Sequence, residues 1–196
     1  MSERKNSLSL IVGLGNPGKE YAQTRHNAGF WFVERLAEQY NIHLKLDPKF
    51  NAISGRGNIE GQDVRLLLPT TFMNLSGQSV VPFSKFYQIA PEAILIAHDE
   101  LDMDPGIIRL KTAGGHGGHN GLKDIVPHIG PNFHRLRIGI GHPGSKERVS
   151  GHVLNKAPKS EQSLMDDAIH HALSRIQLLV SGEIQPAMNQ INAYKP

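Results

Sequence analysis

Residues 114–121 read Gly-Gly-His-Gly-Gly-His-Asn-Gly, and five of these eight are glycine. Glycine is costly inside a helix or strand, so the segment is a loop. Flexible linkers pair glycine with serine, whereas this loop carries His116, His119 and Asn120. It reads as a working loop held by a scaffold. Other segments bring related groups: Asn16, His26, Asn74 and Asp99. A histidine at a helix start tends to stay neutral and able to accept a proton. A carboxylate such as Asp99 can hold a histidine in one tautomer. Asparagine amides donate and accept hydrogen bonds, which suits a peptide-like substrate. The set fits a base-activated water, with amides to stabilise an oxyanion. Cysteine and the Gly-x-Ser-x-Gly elbow are both absent, so a covalent Ser or Cys nucleophile is not expected.

Each residue also has a plainer reading. His26 could merely cap or pack a helix start, and Asn74 or Ser76 could be a helix N-cap. His98 reads as a buried strand histidine, and Asp102 and Asp104 as turn residues beside Pro105-Gly106. His116, His119 and Asp99 could form a metal site, although a glycine loop holds ligands loosely without supporting contacts. A non-catalytic RNA-binding module is a further alternative. Gly13-x-Gly-x-x-Gly18 resembles a dinucleotide fingerprint, but Pro17 interrupts it and helical periodicity begins only near Asn27. A nicotinamide or flavin site is therefore not expected.

These loops need elements to hold them. Apolar runs predict buried strands over 8–13 and 93–98. Residues 51–59 and 62–68 read as a hairpin turning at Glu60-Gly61. Further strands are expected over 107–111 and 133–140, the last with Arg135 and Arg137 on one face. Helical periodicity covers 27–40, where Ala28, Trp31, Val33, Leu36, Ala37 and Tyr40 form a stripe. Helices are also expected over 77–87 and 122–129, each with an internal proline, and over 187–193. A single long helix is expected over 160–181, with Leu164, Ala168, Ile169, Ala172, Leu173, Ile176 and Val180 as its apolar stripe and Gly182 closing it. Strands interleaved with helices, plus one hairpin, argue for a mixed, mostly parallel sheet flanked by helices.

Composition narrows the class. The 196 residues suit one domain spanning 1–196. The lack of cysteine excludes disulfides and Cys-type zinc sites. No window reaches the apolar length of a membrane span and the N-terminal residues lack a signal h-region, so a cytoplasmic protein is the simplest reading. Between Leu101 and Ser160, nine lysines and arginines stand against four acids, on a chain whose net charge is only +3. That sector suits a polyanion such as nucleic acid, or simply a solvated surface.

Taken together, the strings resemble the bacterial-type peptidyl-tRNA hydrolases. They are Val12-Gly-Leu-Gly-Asn-Pro-Gly18, Thr24-Arg-His-Asn-Ala-Gly29, residues 69–77, His98-Asp-Glu-Leu-Asp102, residues 114–124 and residues 133–144. They come in the family's order, while the C-terminal helical part is similar only loosely. The resemblance implies a monomeric, single-domain, three-layer α/β/α enzyme that cleaves the ester joining a peptide to the terminal ribose of tRNA, recycling tRNA from stalled ribosomes. By the same resemblance His26 is the catalytic base and Asp99 the carboxylate that keeps it basic. Asn16 is tied to preference for N-blocked substrates. Tyr21, Phe72, Asn74 and Asn120 become substrate contacts; from the residues themselves, Met73 joins Phe72 in an apolar wall and His119 joins Asn120 as a binding candidate. Lys111 and Arg137 form a basic pair near the tRNA 5′ phosphate. Residues 114–119 and 141–150 correspond to mobile covers. No metal or cofactor is implied. Arg109 stands where many relatives have lysine, which preserves a phosphate contact with altered geometry.

Overall fold

A computed structural model describes residues 7–196. The N-terminal stretch read above as lacking a leader falls largely outside the described residues. In chain order the elements are β1 (Leu10–Gly13), α1 (Ala28–Gln39), β2 (Lys45–Asp47), β3 (Ala52–Ile59), β4 (Gln62–Pro69), α2 (Gly77–Phe86), β5 (Ile94–Glu100), β6 (Ile108–Thr112), α3 (Asn120–Ile129), β7 (His134–Gly139), α4 (Val149–Val153), α5 (Lys159–Leu173), α6 (Ile176–Val180) and α7 (Ile184–Asn192). The strands form one sheet in the order β2-β3-β4-β1-β5-β7-β6. Its four central strands, β4-β1-β5-β7, run parallel. The antiparallel pairs lie toward the two edges.

The central strands are buried on both faces, which is why β1 and β5 read as continuous apolar runs. One core lies under α1, α5, α6 and α7 and includes Phe32, Leu36, Leu95, Leu136 and Ile169. The other lies under α2 and α3 and includes Val12, Phe83, Ile96, Leu122 and Phe133. The result is the expected three-layer α/β/α arrangement. The hairpin turns at Glu60-Gly61, with Ile59 paired to Gln62. Helix α7 covers the β6 edge, where the Asn192 side chain accepts from Leu110 N and donates to Leu110 O. That amide satisfies edge groups which would otherwise template strand pairing.

Four expectations need correction. The long helix over 160–181 is two helices, α5 and α6, broken at Ser174 and Arg175. Its stripe includes the fully buried Met165, while Leu164 is exposed. In α1, Phe32 is fully buried, whereas Trp31 and Tyr40 lie at the core's margin. Ser76 stands at the N-cap position of α2, as expected, but makes no side-chain cap bond; Asp124 Oδ2, from α3, accepts from Gly77 N at 2.7 Å instead. That bond ties together the two helices covering one face of the sheet.

Candidate active site

The chain leaves β1 for β4 on one side and later returns to β5 on the other. Open α/β sheets place ligands outside the strand ends at such a reversal. The loops after β1, β4 and β5 meet there. The glycine loop joins them by carrying the chain from Thr112, opposite His134, up to His119 beside Asp99.

His26 sits in a 3-10 turn, Arg25–Asn27, immediately before α1. Two glycines bring that turn over the sheet. A Cβ on Gly29 would run into Ala97 O, and one on Gly13 would run into Gly29 O. Only their absence lets the start of α1 press on the β1 and β5 backbones. His26 Nδ1 then lies 2.9 Å from Asp99 Oδ2. A carboxylate only accepts, so Nδ1 carries the proton and Nε2 keeps the lone pair.

Asp99 is buried, and its other oxygen, Oδ1, lies 2.8 Å from His119 Nε2. His119 Nδ1 accepts from Gly121 N at 3.1 Å and Leu122 N at 3.4 Å, at the start of α3. Those donors place the His119 proton on Nε2, where it is given to Asp99. His119 is therefore both the N-cap of α3 and the second donor to Asp99, a role spacing alone did not suggest. His98 packs under His119, ring centroids 4.9 Å apart, and its Nδ1–H donates to Asp99 O at 2.8 Å.

Electrostatics follow this arrangement. Burial alone lowers the His26 pKa, but the Asp99 charge and hydrogen bond outweigh it, and the value ends above the ordinary 6.5. That reverses the direction expected from a helix start. Burial works to raise the Asp99 pKa, yet His26 and His119 hold it well below the carboxylate range. His98 is pushed down to about 3, chiefly by burial and then by His119. It is the buried, neutral strand histidine of the plainer reading.

Asn16 is also fixed. Its Oδ1 accepts from Met73 N at 2.7 Å, which identifies that atom as the oxygen and leaves Nδ2 as the donor. Asn27 grips the Asn16 backbone from both sides, accepting from its N–H at 2.8 Å and donating to its carbonyl at 3.0 Å.

A cavity of about 770 Å³ opens over these groups, within the usual size of a ligand site. Nine of the eleven predicted site residues line it: Asn16, Tyr21, His26, Phe72, Met73, Asn74, Asp99, His119 and Asn120. Tyr21 and Phe72 meet edge to face, centroids 6.2 Å apart, as an apolar wall. The opposite wall is Lys146, Val149, Ser150, Val153 and Leu154, on and around α4. Sequence reading missed what holds α4. Arg25 Nη1 donates to His152 O at 2.9 Å and to Asn155 O at 3.4 Å, carbonyls at the helix C-terminus. A cation is favourable there. The partners are 127 and 130 residues away, so no local signal could reveal them.

Lys111 and Arg137 lie outside the cavity wall, on β6 and β7. Strand register sets Arg109 opposite Arg137 and Lys111 opposite Arg135, so all four share one face. Like charges facing each other across strands repel. Arg135 is buried and donates to Gly114 O at 2.6 Å, anchoring the base of the glycine loop. Arg137 Nη2 lies 3.2 Å from Glu100 Oε1.

The metal-ligand set suggested by sequence is not assembled. His116 is exposed and its Nδ1 accepts from Gly118 N. His26, Asp99 and His119 come together instead, with their ligand atoms within 4.8 Å of one another.

A base, its carboxylate and amide donors gathered at the strand ends equip an α/β enzyme for hydrolysis by activated water. The chain belongs to the peptidyl-tRNA hydrolase family, whose family model matches residues 10–196. A peptidyl-tRNA hydrolase of Acinetobacter baumannii (strain AYE) is 83% identical over 191 residues, covering 97% of this chain and 99% of the relative. One from Psychrobacter arcticus is 62% identical over 189 residues, covering 96% and 98%. The crystal structure of the Acinetobacter baumannii peptidyl-tRNA hydrolase superposes with a TM-score of 0.97 at 82% identity, covering 100% of both chains. Among the described residues no helix is long and apolar enough to cross a membrane.

Proposed function

We propose that His26 is the general base with which this chain hydrolyses peptidyl-tRNA. A water hydrogen-bonded to His26 Nε2 attacks the ester carbonyl carbon and gives its proton to Nε2. Asp99, on Nδ1, stabilises the imidazolium that forms. The oxyanion of the tetrahedral intermediate takes a hydrogen bond from Asn16 Nδ2. Collapse breaks the bond to the ribose oxygen, which receives the proton from His26. The products are a free peptide acid and tRNA with its 3′ end restored. General-base action supplies about 10²–10⁴-fold and an oxyanion donor about 10²–10³-fold. An ester needs no stronger assistance.

Asn74 and Asn120 bind the peptide backbone, which is common to every substrate, while Tyr21, Phe72 and Met73 pack on it and on the 3′ end. His119 acts chiefly through Asp99. Lys111 and Arg137 read acceptor-stem phosphates, since tRNA bodies differ in sequence but share a backbone. The chain works as one domain, a monomer in the cytoplasm that recycles tRNA released from stalled ribosomes, without a cofactor. One observation carries the reading: the 2.9 Å contact of His26 Nδ1 with the buried Asp99. Asp99→Asn tests it by lowering turnover of N-acetyl-aminoacyl-tRNA while sparing tRNA binding. Unchanged turnover removes Asp99 from the mechanism.

The cluster of His26, Asp99 and His119 supports a second reading, a metal-assisted hydrolase. It predicts that a chelator abolishes activity.

A further inference from the structure

Glu100 follows Asp99 on β5 and lines the same cavity. It is buried, and among the described residues its charged partner is Arg137, Nη2 to Oε1 at 3.2 Å. Arg137 stands directly across from Arg109, on a face it shares with Lys111 and Arg135. Those cations repel it toward solution, and Glu100 holds it back. The Arg137 side chain is 28% exposed against 10% for Glu100, so the guanidinium meets the carboxylate on its inner side and remains reachable from outside.

A phosphate approaching this face must share Arg137 with Glu100. We propose that Glu100 restrains Arg137 and thereby weakens the enzyme's grip on tRNA phosphate. The proposal rests on the reading of Arg137 as a phosphate contact. Deacylated tRNA keeps every phosphate of the substrate, so a stronger clamp would hold product as tightly as substrate. Such uniform binding lowers KM without raising kcat. A restrained clamp favours release.

The test is equilibrium binding of deacylated tRNA over a salt series for wild type, Glu100→Gln, Arg137→Ala and the double variant. Glu100→Gln is close to isosteric, and thermal melting checks its fold. It is expected to tighten binding by about 3- to 10-fold. Arg137→Ala is expected to weaken binding and to reduce the log–log salt slope by about one. The gain from Glu100→Gln should vanish in the Arg137→Ala background, because the effect passes through that side chain. Glu100→Asp keeps the charge but draws the carboxylate back, and should also tighten binding. No gain in Glu100→Gln overturns the proposal, as does a gain that survives Arg137→Ala or an unchanged Glu100→Asp. Unchanged affinity and slope in Arg137→Ala alone would overturn the phosphate contact itself.

Discussion

His119 Nε2 lies 2.8 Å from Asp99 Oδ1, the carboxylate oxygen that His26 leaves free. Asp99 is thus divided between two histidines, and the basicity of His26 is expected to depend on both. Removing Asp99 and removing His119 should therefore act in opposite directions. The acid limb of kcat/KM reports His26 and is expected above pH 6.5, because its pKa is raised. In Asp99→Asn burial alone remains, so the limb should move to lower pH while kcat falls. In His119→Ala the carboxylate serves His26 alone, and the limb should move higher. His119→Ala also removes a helix cap, costing about 0.5–2 kcal/mol of stability. Limbs that shift in the same direction would contradict the sharing of Asp99.

His98 should make the protein acid-sensitive. Its folded pKa is about 3 against 6.5 unfolded. Below pH 6.5 the unfolded chain takes a proton that the folded chain refuses, so stability falls with pH until about 3. The slope approaches about 1.4 kcal/mol per pH unit. His26 has the opposite sign: its raised pKa adds stability that is complete below 6.5 and lost as pH rises through the folded value. Chemical denaturation of His98→Gln between pH 7 and 4 should show a flatter dependence than wild type. Identical slopes would mean that His98 is not held neutral.

Arg25 neighbours the base but faces away from the chemistry, tying α4 to the turn that carries His26. Arg25→Ala leaves C-terminal carbonyls of α4 without their partner and should loosen one wall of the cavity. We expect KM for N-acetyl-aminoacyl-tRNA to rise about 10-fold, equivalent to about 1.4 kcal/mol. The acid limb should stay in place, because His26 and Asp99 are untouched. Faster backbone hydrogen exchange in residues 149–155 should accompany the change, with partial recovery in Arg25→Lys. An unchanged KM would deny α4 a part in binding.

Local signals account for what could be read beforehand. The Asn16, Asn74 and Asp99 segments follow parallel strands, so their meeting at one end of the sheet was legible, whereas the glycine loop follows antiparallel β6 and reaches that end only by running from Thr112 up to His119. Choosing His26 over His119 as the base was not legible, and rested on family resemblance. Geometry supports His26: both nitrogens of His119 are engaged, by Asp99 and by α3, whereas among the described residues His26 is held by Asp99 through Nδ1. Periodicity over 160–181 could not reveal the break at Ser174, because apolar spacing continues through Ile176 and Val180 into the same core. The Arg25 tether, the Glu100–Arg137 pair and the Asp124 cap of α2 join residues far apart in sequence, where neither spacing nor propensity carries a signal.

Metal-free hydrolysis with His26 as base is checked by release of N-acetyl-amino acid from N-acetyl-aminoacyl-tRNA by intact protein and by His26→Ala, each in excess chelator. Full turnover is expected in the intact protein and a loss of about 10²–10⁴-fold in the variant. Turnover lost to chelator in the intact protein, or retained by His26→Ala, would contradict metal-free hydrolysis with His26 as base.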